Sequence, residues 1–120
     1  MSLDNKFEVQ SPLGYKVVCL KRQWDHITKG HSMMANKEKE IKETLSDPEV
    51  IYESEEWPDK RDVYFKACSN VNAYTKVVID KPDQYNEEGS VVSAWIQRGI
   101  SGNISKGGPK YVKSKSGQTK

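Results

Sequence analysis

The sequence has few of the features that identify a metal site or a redox centre. It contains two cysteines, Cys19 and Cys68, among its 120 residues. Each lies in an apolar stretch without a companion at metal-ligand or redox-motif spacing. We therefore expect both thiols to be buried and reduced, and we expect no metal and no cofactor. Only two histidines are present, His26 and His31, so few side chains can act as bases near pH 7.

Long hydrophobic runs are also missing. No apolar run approaches the roughly 20 residues that span a bilayer, and the first residues lack the basic-then-apolar pattern of a secretory signal. We expect a cytoplasmic protein with no membrane partner. Hydrophobic residues make up 35% of the chain and charged residues 30%, which is enough apolar content for a modest core. The length predicts one compact domain.

Acidic residues are absent from the last part of the chain. Residues 1–96 hold 13 of the 19 Lys and Arg residues and all 17 Asp and Glu residues, whereas residues 97–120 hold the other six basic residues. The net charge of +2 therefore combines an acidic body with a basic end. Such an end is typical either of a solvated terminus or of a segment that seeks phosphate.

Two helices are predicted in the first half. A short helix over Lys21–Lys29 follows from the apolar positions Trp24 and Ile27, and a second over about Ala35–Leu45 follows from apolar residues at helical spacing. Before them, a β-hairpin is predicted from two short apolar runs on either side of the Ser11–Gly14 turn.

Four strands are predicted in the second half, because short runs rich in β-branched and aromatic residues alternate with turns. The runs are Val50–Tyr52, Val63–Phe65, Tyr74–Ile79 and Val91–Ile96. Since the connections are too short for crossover helices, we expect an antiparallel sheet. The fold class is therefore α+β, with two N-terminal helices on a sheet of four or more strands.

The domain is expected to cover residues 1–97. Beyond it, residues 98–120 are rich in Gly, Ser, Lys and Asn, a composition that cannot offset the entropy of ordering. This part of the chain is predicted to be a flexible basic tail.

The histidines are the main chemical signal. On an ideal helix Arg22, His26 and Lys29 share the sector opposite the apolar stripe. Two neighbouring cations favour the neutral imidazole, which suits a general base, although an exposed surface histidine shows the same pattern. Asp25 lies in neither sector, so a zinc site is not indicated.

The predicted strands contribute polar groups on one side. In the last strand, alternation places Ser93 and Trp95 together, with apolar residues on the other side. Arg61 and Lys66 flank one apolar run and Lys76 interrupts the next. Such cations usually face solvent, but they would form a cationic floor if they shared the histidine side.

A series of short motifs resembles the phage-associated nuclease families of the barnase, EndoU, colicin and RelE superfold. The motifs span about residues 15–96: Trp24–Ile27, Gly30-His31, Ile41, Leu45, Asp47-Pro48, Arg61, Tyr64-Phe65, Lys76–Ile79 and Val91–Trp95. The resemblance implies helices followed by a four-stranded antiparallel sheet, and a metal-independent ribonuclease activity. The sequence departs from these families at Ser32, where a proline commonly follows the second histidine.

The resemblance also implies roles for individual residues. His26 matches the helix histidine of these families and His31 the histidine after the helix, while Arg61 matches the basic strand residue and Ser93 the hydroxyl residue of the last strand. These four residues would be catalytic. Lys29, Lys66, Lys76 and Trp95 are the candidates for substrate binding.

The function predicted from the resemblance is RNA cleavage by attack of the ribose 2′-hydroxyl. The substrate would be tRNA or another single-stranded loop, and an immunity or antitoxin protein could be a partner. A non-catalytic module that binds nucleic acid or protein is the alternative. A structural or immunity role in a mobile element, with incidental histidines, is the third interpretation.

Overall fold

The computed structural model describes residues 5–68 and 72–113. Within them the elements are β1 (Asn5–Gln10), β2 (Lys16–Leu20), α1 (Lys21–Gly30), a 3-10 helix (Ser32–Asn36), α2 (Glu38–Ser46), β3 (Val50–Glu53), β4 (Arg61–Ala67), β5 (Tyr74–Asp80), β6 (Gly89–Gln97) and β7 (Tyr111–Val112). The predicted hairpin, both helices and all four predicted strands are confirmed. No helix in the described ranges is both long and apolar enough to cross a membrane.

The strands form one mixed sheet in the order β1-β2-β6-β5-β4-β3-β7. The prediction of an entirely antiparallel sheet is wrong at one place, because β2 pairs with β6 in parallel through Val17–Gly89 and Val18–Ser90. Short connections exclude parallel pairing only between consecutive strands. Here both helices and three strands separate the partners along the chain, so the N-terminal hairpin can dock on β6 in either direction.

Both helices pack on the same face of this sheet. Ile27 of α1 and Ile41 and Leu45 of α2 are buried against Val77 and Ala94 in one hydrophobic cluster. These residues are the ones that the helical and strand periodicities assigned to the interior. Cys19 is also buried, whereas Cys68 is partly exposed, so the prediction of two buried thiols is wrong for Cys68. Cys68 lies one residue beyond the end of β4, so it is not part of the packed strand.

A β-bulge interrupts β6. Val78 pairs with Ser93 and Ile79 with Val91, which leaves Val92 as an additional residue. A bulge reverses the alternation of side chains along a strand. Ser93 keeps the orientation expected from its neighbour Ala94, away from the helices, but beyond the bulge the core receives Val91 rather than the expected Val92.

Residues 98–113 are ordered against the sheet, so the prediction of a flexible tail is wrong for this part. We call it the C-terminal segment (residues 98–113). It crosses from the end of β6 towards β3, where Ser54 pairs with Ile104 and β7 pairs with Val50 and Ile51. The remaining predicted tail, residues 114–120, lies outside the described residues. So do residues 69–71, which make up most of the predicted turn after β4.

A side chain of the sheet binds backbone carbonyls of this segment. The amino-acid composition of the segment does not reveal such contacts. Lys76 Nζ donates to the carbonyls of Ser101 and Gly102, at 3.0 and 2.8 Å. Gly102 has φ +91°, and a Cβ there would lie 2.8 Å from Lys76 Nζ. A left-handed conformation and a close approach both require glycine at this position.

A polar network anchors the segment on the other side of the sheet. Lys110 Nζ lies 3.1 Å from Oδ1 of Asp62, a fully buried carboxylate. Tyr15 donates to the same carboxylate and contacts Tyr64, whose hydroxyl also contacts Ser11. Burial raises the pKa of both Tyr15 and Tyr64, so both hydroxyls stay protonated donors.

Candidate functional site

The strand register assigns the candidate residues to two faces. Tyr64, Val77 and Ala94 lie side by side under the helices, so their neighbours along each strand point the other way. We call that side the helix-free face; it carries Arg61, Val63, Phe65, Lys76, Val78, Ser93 and Trp95. Three separately predicted strands thus bring Arg61, Lys76, Ser93 and Trp95 to one face.

His31 reaches this face from the end of α1. Its imidazole stacks on the indole of Trp95, with ring centroids 5.4 Å apart and an interplanar angle of 29°. His31 is exposed and Trp95 half-buried, so a ligand could approach the imidazole from solvent. Ser93 lies two residues before Trp95 on the same face.

Lys76 supports the Trp95 ring from within the protein. Its Nζ lies 4.9 Å from the Trp95 ring centroid, a cation–π distance, and 5.7 Å from that of Phe65. The residue is only 3% exposed, and burial lowers its pKa. Since its amino group already binds the C-terminal segment, the predicted role of Lys76 in substrate binding does not fit its position.

Gln97 fixes the other end of Trp95. Its side-chain oxygen accepts a hydrogen bond from Trp95 Nε1 at 2.8 Å. Its amide nitrogen donates to the carbonyls of Gly99 and Ser101, at 2.7 and 2.9 Å. The C-terminal segment therefore orients Trp95, and through the ring stack it also contributes to the position of His31.

α1 continues from β2 along the part of β6 that β2 leaves unpaired. The side chain of Gln23 donates to the carbonyl of Val92 at the bulge, which ties the helix to this edge. His26 lies one turn later, exposed like Lys29, on the sector that also carries Arg22. The histidines are thus both on the α1 side of β6, but only His31 is in contact with Trp95.

Arg61 belongs to a second part of the face. It pairs with Asp80, with Nε 2.9 Å from Oδ1, and lies across from it in the register. Lys76, which lies across from Trp95, is four residues from Asp80 along β5, or about 13 Å. Arg61 and the His31–Trp95 stack therefore do not meet at one point.

A groove of about 1340 Å³ surrounds Arg61. Its walls come from the N-terminal hairpin, the start of α1, and the loops after β3 and β5, and they include Arg22, Trp57, Tyr85 and Ser90. Ser90 and Ser93 belong to the same strand, about 10 Å apart. The groove and the surface beside His31 therefore both border β6, at different points along the strand.

Lys66 is separated from the other candidates. Its register position opposite Thr75 is on the helix side of the sheet, and its Nζ lies 3.2 Å from the carboxylate of Asp47. The predicted role of Lys66 in substrate binding therefore does not fit its position, because it does not share the face of Trp95. The cause is its position one residue beyond Phe65, because each step along a strand changes the face.

Sequence analysis did not select Arg22, Trp57 and Tyr85 as site residues. Trp57 and Tyr85 stand in polar loops, where an exposed aromatic ring is itself an unusual feature, and this signal could have drawn attention to them. Arg22 was placed beside His26 on the helix, but its proximity to Arg61 depends on how α1 meets the sheet.

Two further observations concern the chemistry of the site. Across residues 5–68 and 72–113, no group of three His, Cys, Asp or Glu side chains is arranged to hold a metal ion. Comparison of the chain with protein-family models, curated proteins and solved structures found no match.

Proposed function

We propose that this protein is a metal-independent ribonuclease whose site is the surface between α1 and β6. The observation that carries the proposal is the stack of His31 on Trp95 beside Ser93, with His26 on the adjacent helix. The proposal thus combines two imidazoles, from α1 and the residue that follows it, with a hydroxyl from β6. Proton transfer to and from a single phosphodiester needs groups of this kind.

The proposed reaction is an internal transesterification. One histidine takes the proton of the ribose 2′-hydroxyl as its oxygen forms a bond to phosphorus, and the other protonates the 5′-oxygen as the P–O5′ bond breaks. The products are a 2′,3′-cyclic phosphate and a free 5′-hydroxyl. Ser93 donates a hydrogen bond to the phosphate, and Lys29 adds positive charge at the helix edge.

Trp95 and Arg61 have supporting roles in this proposal. Because His31 and Lys76 already contact the indole, Trp95 positions His31 rather than stacking a substrate base. Arg61, which is two strands from Trp95 and offset from it by about 13 Å along the strand direction, binds a neighbouring phosphate instead of the scissile one. A protein inhibitor with an acidic surface could cover the same face.

The histidines are tested by single substitutions. We expect His26→Ala and His31→Ala each to lower the rate of RNA cleavage by roughly 10² to 10⁴, measured with a fluorogenic RNA in the presence of a metal chelator. Products should carry a 2′,3′-cyclic phosphate, and an oligonucleotide with deoxyribose at the cleavage site should stay intact.

Met33→Ala is the matched control, because its side chain lies two residues from His31 and is 59% exposed. It should cleave at the wild-type rate. Wild-type rates in both histidine variants, or cleavage of the deoxyribose substrate, would remove the histidine mechanism.

Binding without cleavage is the alternative function. The pairing of Arg61 with Asp80 and the engagement of Lys76 by backbone carbonyls favour it, because both leave less free positive charge for a transition state. A single-turnover assay separates the two: a binding module retains the RNA and forms no cyclic phosphate.

A further inference from the structure

Two exposed aromatic rings line the groove around Arg61. Among the described residues, large hydrophobic side chains are strongly exposed at four positions, and two of these are aromatic: Trp57, 43% exposed, and Tyr85, 82% exposed. Both belong to the groove wall, although they come from different loops, one after β3 and one after β5. Exposed rings along a groove are typical of surfaces on which nucleic-acid bases stack.

Hydrogen bonds fix the loop backbone at both aromatic residues. The amide of Trp57 donates to Ser54 Oγ at 3.0 Å, and Lys60 Nζ lies 5.5 Å from its ring centroid. On the other loop, the carboxylate of Asp83 accepts hydrogen bonds from the amides of Tyr85 and Asn86, at 2.8 and 2.9 Å. Both loops thus present an aromatic ring from an internally bonded turn, which reduces the entropy lost on binding.

Charge decides which nucleic acid this groove suits. Five basic and six acidic side chains line it, and several of the acids are already paired: Glu8 and Glu88 with Lys16, and Asp80 with Arg61. A duplex, recognised mainly through its phosphates, requires an excess of positive charge. A single strand can instead gain part of its affinity from stacking of its bases on aromatic rings, which any base can do, while the basic side chains of the groove contact its phosphates.

We propose that the groove is a binding site for the unpaired nucleotides next to the cleaved bond, with bases stacked on Trp57 and Tyr85. The choice of RNA as ligand rests on the proposed ribonuclease function. The site deepens that function by assigning the binding of unpaired nucleotides to two named side chains. Ser90 in the groove wall and Ser93 beside Trp95 lie on the same strand, about 10 Å apart, so an RNA strand that follows β6 would extend from the groove to His31.

The probe is a labelled 2′-O-methyl oligonucleotide of about ten nucleotides, a length common for such sites, which cannot be cleaved because its 2′-hydroxyls are blocked. Binding to the full chain is followed by fluorescence anisotropy. We expect Tyr85→Ala and Trp57→Ala each to raise Kd by about 5- to 150-fold, and Tyr85→Phe to bind within about twofold of wild type because the ring is kept. The duplex of the same sequence should bind more weakly than the single strand.

Val112→Ala is the control, since Val112 is equally apolar and exposed but lies on β7 at the far edge of the sheet. It should bind like the wild type. Salt dependence gives a second readout. With two phosphate contacts, the logarithm of the association constant should fall with log[salt] with a slope of about −1.4. Arg22→Gln removes one contact and should reduce the magnitude of that slope by about 0.7. Wild-type affinity in both alanine variants, or duplex binding as tight as single-strand binding, would overturn the site.

Cleavage of a dinucleoside phosphate separates this proposal from the ribonuclease proposal. Such a substrate is too short to reach from His31 into the groove, so Tyr85→Ala should cleave it at the wild-type rate. Ring-dependent binding without any cleavage would support the groove and remove the nuclease. Cleavage combined with binding that does not depend on the two rings would support the ribonuclease and overturn the groove site.

Discussion

The two faces of the sheet are covered in different ways. On the helix side, side chains such as Ile41 and Leu45 pack directly on Val77 and Ile79, and all four are fully buried. On the helix-free face, Phe65 and Lys76 are just as inaccessible, but residues 99–105 approach them through backbone carbonyls bound by Lys76 and Gln97. The first cover depends on apolar side chains and the second on polar groups of the sheet.

This difference leaves the candidate site on the helix-free face. Apolar packing excludes water from the part of the sheet that lies under the two helices, and any opening there costs hydrophobic free energy. The C-terminal segment covers only the centre of the helix-free face. The Arg61 groove and the His31–Trp95 surface lie outside the covered part.

The largest effect is expected on the helix side. Leu45→Ala should lower the free energy of unfolding by about 2–5 kcal/mol, the usual cost of a cavity in a close-packed core. Urea denaturation followed by far-ultraviolet circular dichroism measures it. Glu43→Ala, on the exposed side of the same helix, should change it by less than about 0.5 kcal/mol. Equal losses for the two variants would contradict the described packing of α2.

A smaller and more local effect is expected beneath the C-terminal segment. Lys76→Met removes two hydrogen bonds from a charged donor, and hydrogen bonds of that kind contribute about 1.5–3 kcal/mol. The methionine still fills the space beside Phe65, so we expect the loss to fall in the lower part of that range. Limited proteolysis should become faster within residues 99–110 while the helices stay protected.

Two comparisons sharpen this prediction. Lys66→Met loses an ion pair with Asp47, whose side chain is about half exposed, and should cost less than about 1 kcal/mol. Gly102→Ala should show the same protease sensitivity as Lys76→Met, because its Cβ would meet Lys76 Nζ. A Cβ at Gly99 would meet nothing within 4 Å, so Gly99→Ala should leave the protease sensitivity unchanged. Unchanged proteolysis in both Lys76→Met and Gly102→Ala would show that the segment is held in another way.

The smallest effect is expected where the end of the C-terminal segment meets the helix side. Lys113 Nζ lies 3.0 Å from Oδ2 of Asp47, and this hydrogen bond, helped by Lys66, lowers the pKa of the Asp47 carboxyl. A lowered carboxyl pKa stabilises the fold above the unfolded-state value and ceases to do so as the pH falls through the folded-state value. Asp47→Asn should therefore cost less than about 1 kcal/mol at neutral pH.

The same difference should disappear in acid, where the carboxyl is protonated in both states. Urea midpoints of the two proteins, compared at neutral pH and below the lowered pKa, measure it. A difference that persisted in acid would mean that Asp47 acts through packing rather than through its charge.

Local sequence patterns predicted most of the secondary structure. The repeat of Trp24 and Ile27, and that of Ile41 and Leu45, reports which side of a helix meets a core, and the β-branched runs report strands. These signals lie within a few residues of one another, so the elements could be located without knowing their neighbours. The shared face of Ser93 and Trp95 followed from alternation in the same way.

The sequence by itself therefore determined the α+β class, the helices, the hairpin and the four central strands. Only the tertiary structure decided the parallel β2–β6 pair, the bulge at Val92, the ordered C-terminal segment, and the division of the candidate residues into the His31–Trp95 surface and the Arg61 groove. Hydrogen bonds that involve backbone groups far apart in the sequence contribute to these choices. Every residue other than proline carries the same backbone donor and acceptor, so such pairings leave no trace in side-chain composition or periodicity.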